Sequence, residues 1–114
     1  MKDPVSIANV EHYTWGVICD GWHLLRGENL SVIEERMPPG SEEQRHVHLR
    51  SQQFFYVLEG ELTLEVDQQT YRIAAGEGLE IAPRQSHQAI NRSGGDVRFL
   101  VISQPPSHRD RQFN

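Results

Sequence analysis

The chain has 114 residues, a length that suits one domain and allows a real hydrophobic core. Its 16 acidic and 11 basic side chains give a formal net charge of −5, which argues against a surface that neutralises nucleic-acid phosphates. A single cysteine, Cys19, excludes an intrachain disulfide, and no apolar run resembles a secretion leader or a membrane span, so we expect a cytoplasmic protein without membrane contact.

The N-terminal segment, residues 1–29, is predicted to form an arm. Residues 12–16 and 20–25 are two short pieces that suit an extended conformation, and they carry Trp15 and Trp22. We expect these two tryptophans to pack on the rest of the domain or on a partner subunit.

Residues 30–104 are predicted to form an all-β barrel. Short runs rich in β-branched and aromatic residues alternate with turn-forming residues about every 8–12 positions, which is typical of a sandwich or barrel. No helix is expected, because Pro38-Pro39-Gly40 interrupts the one segment that could suggest one, residues 31–43. The predicted strands are residues 30–37, 54–59, 61–66, 70–75 and 97–103.

The predicted strands differ in the number of their apolar faces. Within residues 61–67 the apolar side chains fall on every second position, so one face can be buried while the other is wet. Residues 54–58 and 99–102 are apolar on both faces, as expected for strands covered by a second sheet, the arm or another subunit. We therefore predict a homodimer.

The C-terminal tail, residues 105–114, is polar and begins with two prolines. We expect it to lie extended on the surface of the domain.

His46-Val47-His48 is the first candidate site. On a strand, residues two apart point the same way, so both imidazoles would project from one face, about 6.5 Å apart at the backbone. Two such rings can converge on one metal ion. The triplet alone is weak evidence, because two surface or hydrogen-bonded histidines produce the same pattern.

The residues around this triplet match a known pattern. Separated by five, one, four and six residues, they are Gly40, His46, His48, Gln53 and Gly60. This spacing resembles the first cupin motif, which has glutamate where this chain has Gln53.

A second group of residues resembles the second cupin motif. Separated by five, one, two and three residues, they are Gly76, Ala82, Arg84, His87 and Asn91. Ala82 stands where the family usually has proline, although Pro83 is adjacent, and Arg84 stands where it usually has glycine.

The resemblance to cupins spans residues 37–91 and implies a double-stranded β-helix, or jelly-roll barrel, of about six to eight strands. It also implies one divalent metal ion per chain, which could be Fe, Ni, Mn or Zn. Carried over by position, the ligands would be His46, His48, Gln53 and His87. Such a site keeps an open coordination position, which a catalytic ion requires.

Gln53 is the informative departure from the family pattern. A neutral amide oxygen is a weaker donor than a carboxylate, so metal affinity should fall and the bound ion should be a stronger Lewis acid that favours an anionic ligand. Alternatively, Gln52 or Gln53 hydrogen-bonds the ligand instead of the metal. If Gln53 faces the barrel, Phe55 and Val57 share its side.

The remaining polar residues are interpreted as ordinary. His12, His23 and His108 lie outside both motifs and are expected to have no role in the site. The acidic side chains near the Pro-Pro-Gly turn are most simply a solvated edge, and they are Glu34, Glu35, Glu42 and Glu43.

The leading functional prediction is a metal-dependent small cupin enzyme that acts on a small oxygenated or anionic metabolite. A dioxygenase is the first choice of reaction class, because three imidazoles and a neutral donor leave room for both substrate and O₂. An isomerase, cyclase or lyase is the second choice, since fold alone does not select the reaction. The competing hypothesis is a non-catalytic module that binds a small acid or sugar, and a third is a cupin with a disabled site.

Overall fold

A computed structural model describes residues 3–108 and 110–113 of the chain. Within that part of the chain there is no helix, and so none long and apolar enough to cross a membrane. The strands are β1 (His12–Trp15), β2 (Cys19–Arg26), β3 (Ser31–Met37), β4 (His46–His48), β5 (Gln52–Glu59), β6 (Glu61–Val66), β7 (Gln69–Ala74), β8 (Gly78–Ile81), β9 (His87–Ile90), β10 (Val97–Gln104) and β11 (Arg111–Phe113).

The strands form two antiparallel sheets, which confirms the predicted all-β jelly-roll class. The larger sheet has the order β1-β2-β3-β10-β5-β8, and the smaller has the order β11-β4-β9-β6-β7. Strands distant in sequence are neighbours in both sheets, as in β3 with β10 and β4 with β9. This pairing brings the two segments that carry the histidine motifs together.

The core lies between the inner faces of the two sheets. Its largest completely buried apolar side chains come from both sheets and are Met37, Leu62, Leu64, Ile81 and Phe99. Phe55 stacks on Phe99 with ring centroids 5.9 Å apart. Burial of these side chains supplies most of the driving force for folding, at about 25 cal/mol per Å² of apolar surface.

The alternation predicted for β5 is present in the structure. Gln53, Phe55 and Val57 are buried, whereas Phe54 and Leu58 on the opposite face keep about 40% of their surface exposed (40% and 41%). The five strands predicted between residues 30 and 103 correspond to β3, β5, β6, β7 and β10. The short strand β4 is the His46–His48 triplet, for which a strand conformation was expected, whereas the four-residue strands β8 and β9 are too short for periodicity to define their bounds.

The N-terminal residues extend the larger sheet. β1 pairs with β2, and β2 pairs with β3 along most of its length. Trp15 packs against the core cluster, while Trp22 lies beside the ring of His12 with centroids 5.2 Å apart. The N-terminal residues therefore form an edge of the larger sheet within the same subunit.

The C-terminal residues Arg111–Phe113 are extended and exposed, as the sequence suggested, and in addition they pair with a strand of the barrel. Arg111–Phe113 pair with His46–His48 as an added strand of the smaller sheet. The carboxylate of Asp110 accepts hydrogen bonds from the backbone N–H groups of Arg50 and Ser51, both at 2.8 Å. This contact ties the residue before β11 to the segment between β4 and β5. Arg109 and Asn114 of the predicted tail lie outside the described residues.

Candidate metal centre and its cavity

Three histidines meet inside the barrel. β4 supplies His46 and His48 from one face, and His87 at the start of β9 is the register partner of His46. The ring centroids lie 4.8, 4.3 and 5.5 Å apart, and one nitrogen from each ring lies within 4.8 Å of the others. The prediction that the two motifs bring these side chains together is therefore met by the fold.

Hydrogen bonds orient two of the three rings. Nδ1–H of His46 donates to the carbonyl of Gln44 at 2.8 Å, and Nδ1–H of His87 donates to the carbonyl of Gln85 at 3.0 Å. This tautomer leaves Nε2 of both rings with a free lone pair. Within the described residues, Nε2 of His48 and of His87 are buried and have no hydrogen-bond partner.

Burial keeps these histidines uncharged at neutral pH. Desolvation lowers the pKa of His46 to about 3 and that of His48 to about 4, and it also lowers the pKa of His87. A metal ligand must be the neutral imidazole, so no proton has to be removed before an ion binds. A buried, unprotonated nitrogen without a hydrogen-bond partner lowers the stability of the folded protein unless a metal ion or ligand contacts it. A divalent ion fits this set of donor atoms.

Gln53 reaches the same interior from the opposite sheet. Its Nε2 donates to the hydroxyl of Ser103 at 2.9 Å and to that of Ser107 at 3.3 Å. Its Oε1 is buried and has no partner among the described residues. The amide is therefore fixed with its nitrogen toward the serines and its oxygen available to a ligand.

A cavity of about 350 Å³ opens beside His46 and Gln53. This volume lies at the lower end of the range for small-molecule sites. The walls combine apolar side chains such as Ile33 and Phe55 with several polar groups, which include Tyr13, Glu35, Glu43, His46, Gln53 and Arg111.

Two glutamates of the acidic run belong to this cavity, which corrects the prediction of a solvated edge. Of the four, Glu42 is exposed, and Glu34 is buried in an ion pair with Arg98. Glu35 and Glu43 both line the cavity. A hydrophobic wall beside a carboxyl group penalises its charged form, so both groups hold their protons more tightly than in water.

The pKa values of the two cavity carboxyl groups follow from this burial. Desolvation raises the pKa of Glu35 to about 7, although the phenol of Tyr13 donates a hydrogen bond to its Oε2 at 3.3 Å. Desolvation and the charge of Glu35 raise the pKa of Glu43 to about 8. The Glu43 carboxylate accepts a hydrogen bond from the backbone N–H of Ala89 at 3.0 Å and lies 4.0 Å from Nδ1 of His46.

A signal for Glu35 was present in the sequence. Ile33, Glu35 and Met37 share one face of β3 by strand alternation, and Met37 is completely buried. A glutamate in register with core side chains points into the barrel. Glu43 lies in a loop before β4, so no periodicity identified it.

The histidines outside the motifs have different environments. His12 pairs with Asp20 at 2.7 Å on the surface, as an ordinary histidine does. His23 and His108 line the cavity, and Nδ1 of His23 is buried without a partner among the described residues. Two of the three histidines interpreted as ordinary therefore line the cavity, a position that their sequence context did not indicate.

Arg84 stands at a position where cupins usually have glycine. Its φ is +73°, in the left-handed region that favours glycine, so the backbone keeps the glycine-like conformation although the residue differs. Its backbone N–H donates to the carbonyl of His48 at 2.7 Å, so the strained turn fastens β4 beside the metal centre. A non-glycine residue in this conformation costs about 1 kcal/mol or more.

Comparison with known families agrees with this architecture. The Cupin domain family matches the chain over residues 33–103, which include both histidine motifs. The chain therefore belongs to the cupin family.

The individual relatives are more distant. An uncharacterized protein of Methanocaldococcus jannaschii is 29% identical over 92 residues, which cover 80% of this chain and 74% of that protein. The polyketide synthase CurC of Streptomyces cyaneus is 32% identical over 69 residues, which cover 60% of this chain but only 45% of that protein. Among solved structures, the polyketide cyclase RemF of Streptomyces resistomycificus has a TM-score of 0.85 at 20% identity, covering 99% of this chain and 85% of that one.

Proposed function

We propose that this protein is a metal-dependent cupin enzyme that moves protons on a small oxygenated carbonyl compound, in an isomerisation or cyclisation. The observation that carries this proposal is the cavity beside His46, where two carboxyl groups with raised pKa values line the same wall as one of the three grouped histidines. Groups that exchange protons near neutral pH are the ones that general acid–base catalysis requires.

The ion would be held by His46, His48 and His87, with the free Oε1 of Gln53 as the fourth donor. When bound, a divalent ion polarises a carbonyl oxygen and makes the adjacent C–H group more acidic. Because all four donors are neutral, the site retains the full charge of the ion and favours oxygen ligands that carry negative charge.

Glu35 is the proposed proton-transfer residue. It lies in the cavity wall, and its pKa of about 7 means that it can both take a proton from carbon and return one to oxygen or carbon. The hydrogen bond from Tyr13 stabilises the ionised form of Glu35 and fixes the direction of its carboxylate. Tyr13 therefore acts as a positioning residue.

Glu43 has a different proposed task. The N–H of Ala89 holds its carboxyl group, which lies 4.0 Å from Nδ1 of His46 and therefore close to the metal centre. With a pKa of about 8 it is mostly protonated at neutral pH, so it can donate a hydrogen bond to a substrate oxygen.

The name of one relative supports a carbonyl compound as the substrate class. The Streptomyces cyaneus relative is named a polyketide synthase, and polyketides are compounds with several carbonyl groups.

The first test is solvent isotope exchange. Metal-loaded protein is incubated in D₂O without oxygen with a panel of β-keto acids, hydroxy-ketones and β-diketones, and NMR follows the C–H signals. We expect deuterium to enter the carbon next to the carbonyl faster than without protein. Absence of exchange across the panel, together with oxygen uptake in air, would instead support a dioxygenase.

A binding module makes a different prediction in the same experiment. A compound that raises the melting temperature but shows neither exchange nor oxygen uptake would support the non-catalytic hypothesis.

We also propose that the protein is a homodimer, which forms through the outer face of β5 and β10. Phe54 and Leu58 are exposed there, and Phe54 stacks on Tyr56 with ring centroids 6.5 Å apart. On β10, the register partners of Phe54 and Tyr56 are Ile102 and Leu100, which continue the same apolar surface. A contiguous apolar patch of this kind is typical of protein interfaces.

Light scattering should give twice the 13.1 kDa mass of one chain at micromolar concentration. Phe54→Arg places a charge in the patch and should produce monomers. Val17→Arg, at a turn residue that is 94% exposed, is the matched control and should remain dimeric. A monomeric wild-type protein would contradict the proposal.

A further inference from the structure

An arginine from the C-terminal strand reaches the cavity. The register of β11 on β4 pairs Arg111 with His48 and Phe113 with His46. Paired residues of antiparallel strands project from the same face, so Arg111 and Phe113 lie on the side of the metal centre. Arg111 is among the residues that line the cavity, and its Cζ lies 6.0 Å from the centroid of the Phe113 ring.

The guanidinium of Arg111 has no ion-pair partner within residues 3–108 and 110–113. Arg26, the other arginine of the cavity, is bound by Glu11. A cavity arginine that is free of ion pairs is available to a ligand, because its five N–H donors are not used by neighbouring carboxylates.

The two cavity carboxyl groups do not neutralise Arg111. Glu35 and Glu43 line the same cavity, but neither carboxyl group forms an ion pair with Arg111 among the described residues.

We propose that Arg111 binds the carboxylate of the substrate, which makes this site selective for small carboxylic acids that carry a carbonyl group. The proposal rests on the proposed function, because it takes the cavity as the substrate site. A guanidinium matches a carboxylate with two parallel hydrogen bonds, which fixes the orientation of the bound acid.

A carboxylate fits this environment better than a phosphate. Of the two cavity arginines, Arg26 is paired with Glu11, so among the described residues Arg111 alone lines the cavity without an ion-pair partner, and one guanidinium matches the single charge of a carboxylate better than the double charge of a phosphate. The ring of Phe113 beside the guanidinium offers an apolar surface to the rest of the acid.

Isothermal titration calorimetry on the metal-loaded chain tests the proposal with benzoate as the probe and neutral benzamide as its isostere. Arg111→Gln should weaken benzoate binding at least about tenfold and change benzamide binding less than about twofold. Arg111→Lys, which keeps the charge but loses the fork geometry, should have an intermediate effect. Arg72→Gln removes the same charge from a side chain that is 75% exposed on β7 and should bind as wild type does.

Three outcomes would overturn the proposal. They are equal benzoate affinity in wild type and Arg111→Gln, no benzoate binding by metal-loaded wild type, and tighter binding of phenyl phosphate than of benzoate. Metal analysis of each variant shows that the metal centre is intact. Failure of the proposed function is distinguishable, because it would appear as absent metal or absent isotope exchange in the wild-type protein.

Discussion

A variant with both His46 and His87 changed to alanine should bind almost no metal, whereas wild-type protein purified without added metal or chelator should contain near-stoichiometric iron, nickel, manganese or zinc. The double change leaves one imidazole and one amide, a donor set too weak to hold a divalent ion. We expect affinity to fall by at least about a thousandfold, since loss of even an outer-shell partner costs 10- to 100-fold. Elemental mass spectrometry and metal titration measure this change directly.

Thermal unfolding provides an independent readout. An ion that binds only the folded protein stabilises it by about 2.7 kcal/mol at a hundred times its dissociation constant. The melting temperature of wild type should therefore rise on metal addition, and that of the double variant should not. His12→Ala, which changes a surface histidine outside the cavity, is the matched control and should respond as wild type does.

Gln53 variants show whether the amide is a ligand. Gln53→Glu restores the residue usual in the family and should tighten metal binding, while Gln53→Ala should weaken it less than the double histidine change does. Wild-type protein that is free of metal and takes up no ion on titration would contradict the metal centre and favour a disabled site.

Replacing Glu35 by glutamine should lower the rate of isotope exchange about 100- to 10,000-fold while leaving metal content unchanged. Glutamine keeps the shape of the side chain and can still accept the hydrogen bond from Tyr13, but it cannot take up a proton. The rate in wild type should rise with pH through the pKa of Glu35, near 7, and this rise should disappear in the variant.

The same substitution should change the pH dependence of stability in metal-free protein. The pKa of Glu35 is about 7 in the folded chain against an ordinary value of 4.5, so the folded state binds the proton more tightly and wild type loses stability as pH rises through this window. Glu35→Gln removes that loss. Its free energy of unfolding relative to wild type should increase by about 2 kcal/mol between pH 5.5 and 8.5.

Glu42→Gln is the control for both measurements, because Glu42 belongs to the same acidic run but is exposed. It should match wild type in rate and in pH dependence. A Glu35→Gln variant with wild-type exchange rates would remove Glu35 from the mechanism and leave Glu43 as the remaining cavity carboxyl group to test.

The sequence by itself predicted the class of fold and the three histidines. Both are local or spacing signals: the alternation of apolar residues in β6 marks its buried face, and the spacing within the two motifs resembles that of the cupin family. Gln53 was identified by the same spacing, and alternation put Phe55 and Val57 on its side of the strand, but only the structure shows that this side faces the interior.

Only the tertiary structure determined the composition of the cavity. Glu35, Glu43 and Arg111 come from segments far apart in the chain, and the sheet pairings of β3 with β10 and of β4 with β9 and β11 bring them to one place. Strand alternation with Met37 could have placed Glu35 on an inner face, but it could not show that Glu43 and Arg111 reach the same cavity. The desolvation that raises the pKa of Glu35, and the absence of a carboxylate partner for Arg111 in the described part of the chain, are properties of the packed barrel that no local pattern encodes.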